Sequence, residues 1–389
     1  MMENESKKQY DHQCIISYEL TRSLVFQNDL AIPKNSLPQA ELFDRAYFYS
    51  ITVGIGLPKR DYKLLLDTGS SDIWITNDTT ISNAPYDYHG DLTRKLTGET
   101  GLLRYMMGLV NFAYATNFFE FAGKTLRDVP YGIAFKTKDM APLQGDTSGY
   151  LGLGYSSSNR KNLPQYLKDE GYIKRNSYSI SFVFSKETKS DGGIIFGGID
   201  HSKYTGELYK FPRLNIATLK KKKSLAIKLS EIYMDGKTFK INKPAAFDTG
   251  ATMSYFPRKA YLAVCEYFGV DYKDTRASGY PLIDIEKTGD KIIKLDFAGA
   301  IIAVQGKDFA LDYFPEASSN LKVFGIANSD NSFNVPIIGA NILKSMYVVY
   351  DLDGEEIAIA QANVLPGPSK IEPIVDSIPQ AKYAPHIYK

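Results

Sequence analysis

Cysteine is almost missing: the 389-residue chain has two, Cys14 and Cys265. Two thiols so far apart carry no metal-ligand spacing, and they cannot staple a disulfide-dependent fold. The sequence leaves open whether they bridge each other, and Cys265 reads as a small buried apolar residue. Histidine is nearly as scarce. The four, His12, His89, His201 and His386, are scattered, and no His-Glu-x-x-His occurs, which removes the zinc-protease pattern. No Gly-x-Ser-x-Gly elbow occurs either, which removes the serine hydrolase pattern. Gly149-Tyr150-Leu151-Gly152-Leu153-Gly154 is glycine-rich but lacks the strand-to-helix context of a dinucleotide site. No metal and no cofactor is expected. A run of about 18 apolar residues is also lacking, so no transmembrane helix is expected. Net charge is only +2, too small a field to argue for a nucleic-acid partner. The short run Lys220-Lys221-Lys222-Lys223 reads as a solvated loop. The opening Met1 to Lys8 is polar and has no apolar signal-peptide core.

Aromatic residues are abundant instead. Tyr (28) and Phe (21) accompany 30 Gly and 18 Pro, a composition that favours many short strands joined by turns. Residues 1–44 read as an N-terminal extension. From Tyr47 the text becomes strand-like: Tyr47-Phe48-Tyr49-Ser50-Ile51-Thr52-Val53, then Lys63-Leu64-Leu65-Leu66, and later Ser179 to Phe184. Helical patterns are few. Arg258 to Phe268 is the clearest, with Ala260, Val264 and Phe268 on one side. The prolines after residue 363 read as a C-terminal tail.

The informative feature is an internal repeat. Leu64-Leu65-Leu66-Asp67-Thr68-Gly69-Ser70-Ser71 recurs about half a chain later as Ala245-Ala246-Phe247-Asp248-Thr249-Gly250-Ala251-Thr252. Each copy is followed at a distance by two apolar residues and a glycine, Tyr150-Leu151-Gly152 and Ile337-Ile338-Gly339. A repeat on that scale implies two similar lobes. An Asp at the end of an apolar strand is costly unless hydrogen-bonded, and glycine lets backbone N–H groups approach the carboxylate. Two such loops facing each other bring two carboxylates within a few ångströms. Like charges so close cannot both ionise, so the pair shares a proton. The ionised member, Asp67 or Asp248, activates a water while the other polarises a carbonyl.

These residues carry a resemblance. From about Tyr47 to Ala362 the chain is similar to the pepsin-like aspartic proteases. Asp67-Thr68-Gly69-Ser70-Ser71-Asp72-Ile73-Trp74-Ile75 resembles the family's first active-site motif, and Asp248-Thr249-Gly250-Ala251-Thr252 the second. Phe196-Gly197-Gly198-Ile199-Asp200 to Gly206 is worded like fungal secreted members such as candidapepsins. The resemblance implies an all-β, bilobal fold with a cleft between two pseudo-twofold-related lobes. The lobes would run over 45–205 and 206–363, with the extension at 1–44 and the tail at 364–389. It implies an aspartic endopeptidase with Asp67 and Asp248 as the catalytic pair. Thr68 and Thr249 would link the two loops, Gly69 and Gly250 would form their turns, and Ser70 would donate to Asp67. Trp74 would bond the tyrosine of a flap over the substrate. Counting back from Phe119-Glu120-Phe121 places that tyrosine at Tyr105. The flap tip is then Met106-Met107-Gly108, bulkier and more apolar than the family norm.

Ala251 departs from the family, which often carries Thr or Ser there. Alanine cannot donate to Asp248, so its pKa should rise and activity should peak at a less acidic pH. The altered flap and Ala251 keep alive an alternative, a pepsin-like protein that binds peptides without cleaving them. Part of 1–44 could be the remnant of an inhibitory propeptide or an N-terminal strand of the mature enzyme. The resemblance also implies a secreted or cell-surface protein, with the signal peptide absent from the given chain. Asn77-Asp78-Thr79 and Asn4-Glu5-Ser6 are N-glycosylation sequons. A peptide or protein is the expected partner, and the chain is expected to act as a monomer.

Overall fold

The computed structural model describes residues 37–44, 48–105, 108–138, 143, 146–156, 160–183, 192–216, 223–275, 279–288, 290–311, 320–331 and 334–387. Strands dominate, and they build a 14-stranded sheet, a 7-stranded sheet and two smaller ones. The large sheet holds the first half of the chain, and the 7-stranded sheet lies wholly between Ala226 and Ile338. Six strands join the halves. In order these are Tyr204–Pro212, Glu356–Ala362, Met346–Asp351, Ser177–Ser181, Gly192–Phe196 and Gln39–Asp44. Strands late in the chain thus pair with strands from its first half. The ladder of Met346–Asp351 against Ser177–Ser181 is antiparallel over five residue pairs.

Two copies of one arrangement position the Asp-Thr-Gly loops. Arg60–Asp67 runs parallel to Thr147–Gly152, with Asp67 opposite Gly152. Lys237–Phe247 runs parallel to Ile337–Ile338, with Phe247 opposite Ile338. The later apolar-apolar-glycine segments are therefore the neighbours of the strands that deliver each Asp. Their glycines are sterically required. A Cβ on Gly152 would lie 2.6 Å from the Asp72 backbone N, and one on Gly339 would lie 2.3 Å from the Met253 carbonyl.

The N-terminal half carries a long hairpin, Lys95–Tyr105 with Gly108–Phe121, closed by the pair Tyr105 and Gly108. Met106 and Met107 lie outside the described residues. The helix Arg258–Phe268 buries Ala260, Tyr261, Val264, Cys265 and Phe268 on one face, and Gly269 ends it in the left-handed conformation (φ 70°). Cys265 is buried and unbridged, and Cys14 lies outside the described residues.

Gln39–Asp44, within the stretch read as an extension, is a strand paired to both Gly192–Phe196 and Tyr49–Ile55. The proline-rich end is also laid onto the body. Ile371–Pro373 pairs with Gly198–Asp200, and Lys382–Tyr383 runs beside Tyr204–Pro212. Ile374 and Ile378 are buried against Leu208, Tyr347 and Val349. Fully burying two such side chains contributes on the order of 3–6 kcal/mol.

Candidate active site

Asp67 and Asp248 meet where the two halves join, near enough that each carboxyl bears on the other's protonation. The threonines hold the loops in register. The Thr68 N–H donates to the Thr249 hydroxyl at 3.0 Å, and the Thr249 N–H donates to the Thr68 hydroxyl at 3.0 Å. Each hydroxyl then donates across the junction, Thr68 to the Phe247 carbonyl and Thr249 to the Leu66 carbonyl, both at 2.8 Å. All four bonds are buried. Leaving one such donor or acceptor unmet costs about 1–3 kcal/mol, so the grip resists any slip of one loop past the other.

The glycines are placed by contact as well as by turn geometry. A Cβ on Gly69 would lie 2.5 Å from the Asp248 carboxylate, and one on Gly250 would lie 2.5 Å from that of Asp67. Each loop leaves room for the other's acid.

The two acids are solvated unequally by the protein. Asp67 accepts from the Gly69 N–H at 2.9 Å and the Ser70 N–H at 3.2 Å on one oxygen, and from the Ser70 hydroxyl on the other. Asp248 accepts from the Gly250 N–H at 2.9 Å and has the Ala251 N–H beside it, but Ala251 supplies no hydroxyl. Burial raises the pKa of both. For Asp67 the Ser70 and Gly69 donors oppose the rise. For Asp248 the neighbouring Asp67 charge adds to it.

Above the pair, the Trp74 indole N–H donates to the Tyr105 hydroxyl at 2.7 Å. Trp74 itself is completely buried. Tyr105 is the last described residue of the hairpin's first strand, so this bond ties the hairpin end to the strand that follows the first loop. Burial, with the Asp67 charge next, holds the Tyr105 hydroxyl well above its usual pKa, which keeps it protonated. Tyr150 was missed by sequence reasoning. It stacks on Trp74 with centroids 5.1 Å apart, and its ring lies 5.3 Å from that of Tyr105. Its hydroxyl feels both carboxylates. An aromatic inside a strand motif reads as core, and only its place two residues before Gly152 could have flagged it. Leu65, Val110, Phe112 and the partly buried Leu103 complete this apolar wall.

Gly108 pairs with Tyr105 at the hairpin end. Asn77 is exposed just after Ile73–Thr76 and lines a groove of about 340 Å³ with Tyr88, His89, Leu96 and Phe135. Asn4 lies outside the described residues. Among the described residues no cluster of three or more His, Cys, Asp or Glu could hold a metal ion. No helix among them is long and apolar enough to cross a membrane.

Two β lobes sharing a carboxylate pair, one delivered by each, define the pepsin-like class of aspartic proteinases. The chain belongs to that class: residues 48–362 match the family model for eukaryotic aspartyl protease. Among curated relatives it is 28% identical to aspartic proteinase yapsin-3 of Saccharomyces cerevisiae, over 92% of this chain and 74% of that one. It is 27% identical to candidapepsin of Candida tropicalis, over 85% of this chain and 83% of that one. The solved aspartic proteinase from Irpex lacteus superposes with a TM-score of 0.71 at 19% identity, covering 85% of this chain and 98% of that one. That likeness bears on the fold.

Proposed function

We propose that the chain is an aspartic endopeptidase that cleaves an extended peptide between Asp67 and Asp248. The observation that carries this reading is the unequal pair: two adjacent buried carboxyls, one with a side-chain hydroxyl donor and one without. Asp67 holds the charge and Asp248 holds the shared proton, although the pair titrates as a unit. A water between them gives a proton to Asp67 as its oxygen attacks the scissile carbonyl. Asp248 gives its proton to the carbonyl oxygen, and a neutral gem-diol forms. Asp67 then passes its proton to the amide nitrogen, Asp248 recovers one from a diol hydroxyl, and the C–N bond breaks to acid and amine. The grip between Thr68 and Thr249 fixes the distance across which this transfer occurs.

The peptide lies under the hairpin in this reading, held by backbone hydrogen bonds. Tyr105, Trp74 and Tyr150 form the wall beside the pair, so large apolar side chains are favoured at the scissile bond. Met106 and Met107, the flap tip that the family resemblance implies, extend that preference in this reading. A secreted or cell-surface location goes with the reading, as does an N-glycan on exposed Asn77.

Cleavage of a denatured protein at mildly acidic pH, abolished by a statine-type transition-state analogue, tests the reading. Tight binding of the analogue without any cleavage would overturn it in favour of a non-catalytic peptide binder.

A further inference from the structure

The hairpin has a discontinuity near its root. Its two strands shift register between Leu96 and Thr100, and Gly98 there takes a φ of +80° with nothing within 4 Å of a Cβ. The Thr97 hydroxyl donates to the Tyr114 carbonyl at 3.1 Å and accepts from the Glu99 N–H at 3.2 Å. A bulge of this kind bends and twists a strand locally, and such irregular points absorb the dihedral change when a segment opens.

One side chain spans this bulge and the first active-site motif. Arg160 donates from Nη1 to Glu99 at 2.8 Å and from Nη2 to the Tyr114 hydroxyl at 2.8 Å. Its guanidinium lies over the Tyr114 ring, 3.7 Å from the centroid, a stacking that lysine would not reproduce. The Tyr114 hydroxyl in turn donates to Asp72 at 2.6 Å, and Arg160 Nε lies 4.0 Å from the same carboxylate. Asp72 belongs to the segment that carries Asp67, and its carbonyl accepts from the Gly152 N–H at 3.1 Å.

We propose that Arg160 is a positioning residue that clamps the bulge at the root of the hairpin to the catalytic loop, and so sets how readily the hairpin closes over a peptide. The inference rests on the endopeptidase reading above. The clamp has a firm end and a releasable end. The Asp72 carboxylate is only 14% exposed, whereas that of Glu99 is 64% exposed. An exposed ion pair is weak and screened by salt. Opening about Gly98 stretches the Glu99 contact first, and the buried arm returns the hairpin to the same place. Losing the clamp shifts the population toward the open form and weakens apparent peptide affinity by that fraction.

The test compares the full chain with Arg160→Met and Glu99→Gln. Both variants should raise KM about 3- to 10-fold while kcat stays within about 2-fold, the signature of a changed closed population. The double variant should do no worse than Arg160→Met alone. Raising salt should increase KM of the parent but leave KM of Glu99→Gln flat, which a merely structural Arg160 would not produce. The Kd of a statine peptide should follow KM, which keeps the inference testable if the parent binds peptide without cleaving it. KM and Kd unchanged in both variants would overturn the clamp. So would a loss in Arg160→Met that tracks its melting temperature while Glu99→Gln and the salt response stay inert. A parent that neither cleaves nor binds would overturn both readings, whereas a parent that binds without cleaving fails the endopeptidase reading alone.

Discussion

The two Asp-Thr-Gly loops repeat each other in sequence yet differ in what they offer a negative charge. Their framework is symmetric: parallel strand neighbours, reciprocal threonine bonds of matching lengths, and glycines that yield to the opposite acid. Their donors are not symmetric. Both acids have two backbone N–H groups beside them, Gly69 and Ser70 for Asp67, Gly250 and Ala251 for Asp248, but only Asp67 also receives a side-chain hydroxyl, that of Ser70. The first loop is also the one beneath the hairpin, through Trp74 and Tyr105. Symmetry positions two acids; in the proposed mechanism the departures from symmetry decide which one carries the proton and which side faces the substrate.

The hardest way to break the comparison is to neutralise each acid in turn. Asp67→Asn and Asp248→Asn should each lower kcat by roughly 10⁴-fold, because either change removes one partner of the proton exchange. Active-site titration with a statine peptide checks that both variants stay folded. If one variant kept turnover near that of the parent, the two loops would not share a reaction. Next come the glycines. Gly69→Ala and Gly250→Ala each place a methyl about where the opposite carboxylate lies, 2.5 Å away. Misplacing an acid by an ångström costs about 10²-fold. Equal losses in kcat/KM would confirm that the steric frame is symmetric even though the donors are not. Smaller still is Tyr105→Phe, which leaves the buried Trp74 N–H without its acceptor. A cost of about 1–2 kcal/mol, the lower part of the range for an unmet buried donor, corresponds to a fall in kcat/KM of roughly 5- to 30-fold, read by steady-state kinetics.

Much of this frame was legible because the repeat is literal. Two Asp-Thr-Gly triplets, each after an apolar strand, locate the acids, the grip and the turns from the text alone. Tyr105 was reachable by counting back without gaps from Phe119-Glu120-Phe121 along the strand Gly108–Phe121, which runs from that segment to the hairpin end. Other features hide because their partners are distant in sequence. Tyr150 looks like an ordinary strand aromatic until Trp74 stacks on it. Arg160 is one arginine among many until the fold brings Glu99, Tyr114 and Asp72 around it. The proline-rich end shows the same limit. Its prolines signal loop, and nothing local says that Ile374 and Ile378 find an apolar face near Tyr347.

The finest test exchanges the donors. Ala251→Ser gives Asp248 a hydroxyl that prefers the ionised acid, so the pKa of Asp248 falls. In the proposed mechanism Asp248 carries the proton, and losing it ends activity at high pH. The alkaline limb of the kcat/KM profile should therefore move to lower pH, with the acid limb nearly in place. Ser70→Ala acts on the other acid. It removes a donor from ionised Asp67, whose pKa rises, so the acid limb should move to higher pH. The parent, already lacking a donor at position 251, should hold its activity to a less acidic pH than Ala251→Ser. Stability carries the same sign. The folded pKa of each acid lies above its unfolded value. The pair's contribution is thus fully present below the unfolded carboxylate range and is lost as pH rises through the folded pKa. Asp248→Asn removes one of these titrations, so its melting temperature should fall less than that of the parent between acidic and neutral pH. If Ala251→Ser moved the acid limb instead, the proton would rest on Asp67 and the assignment of roles would invert.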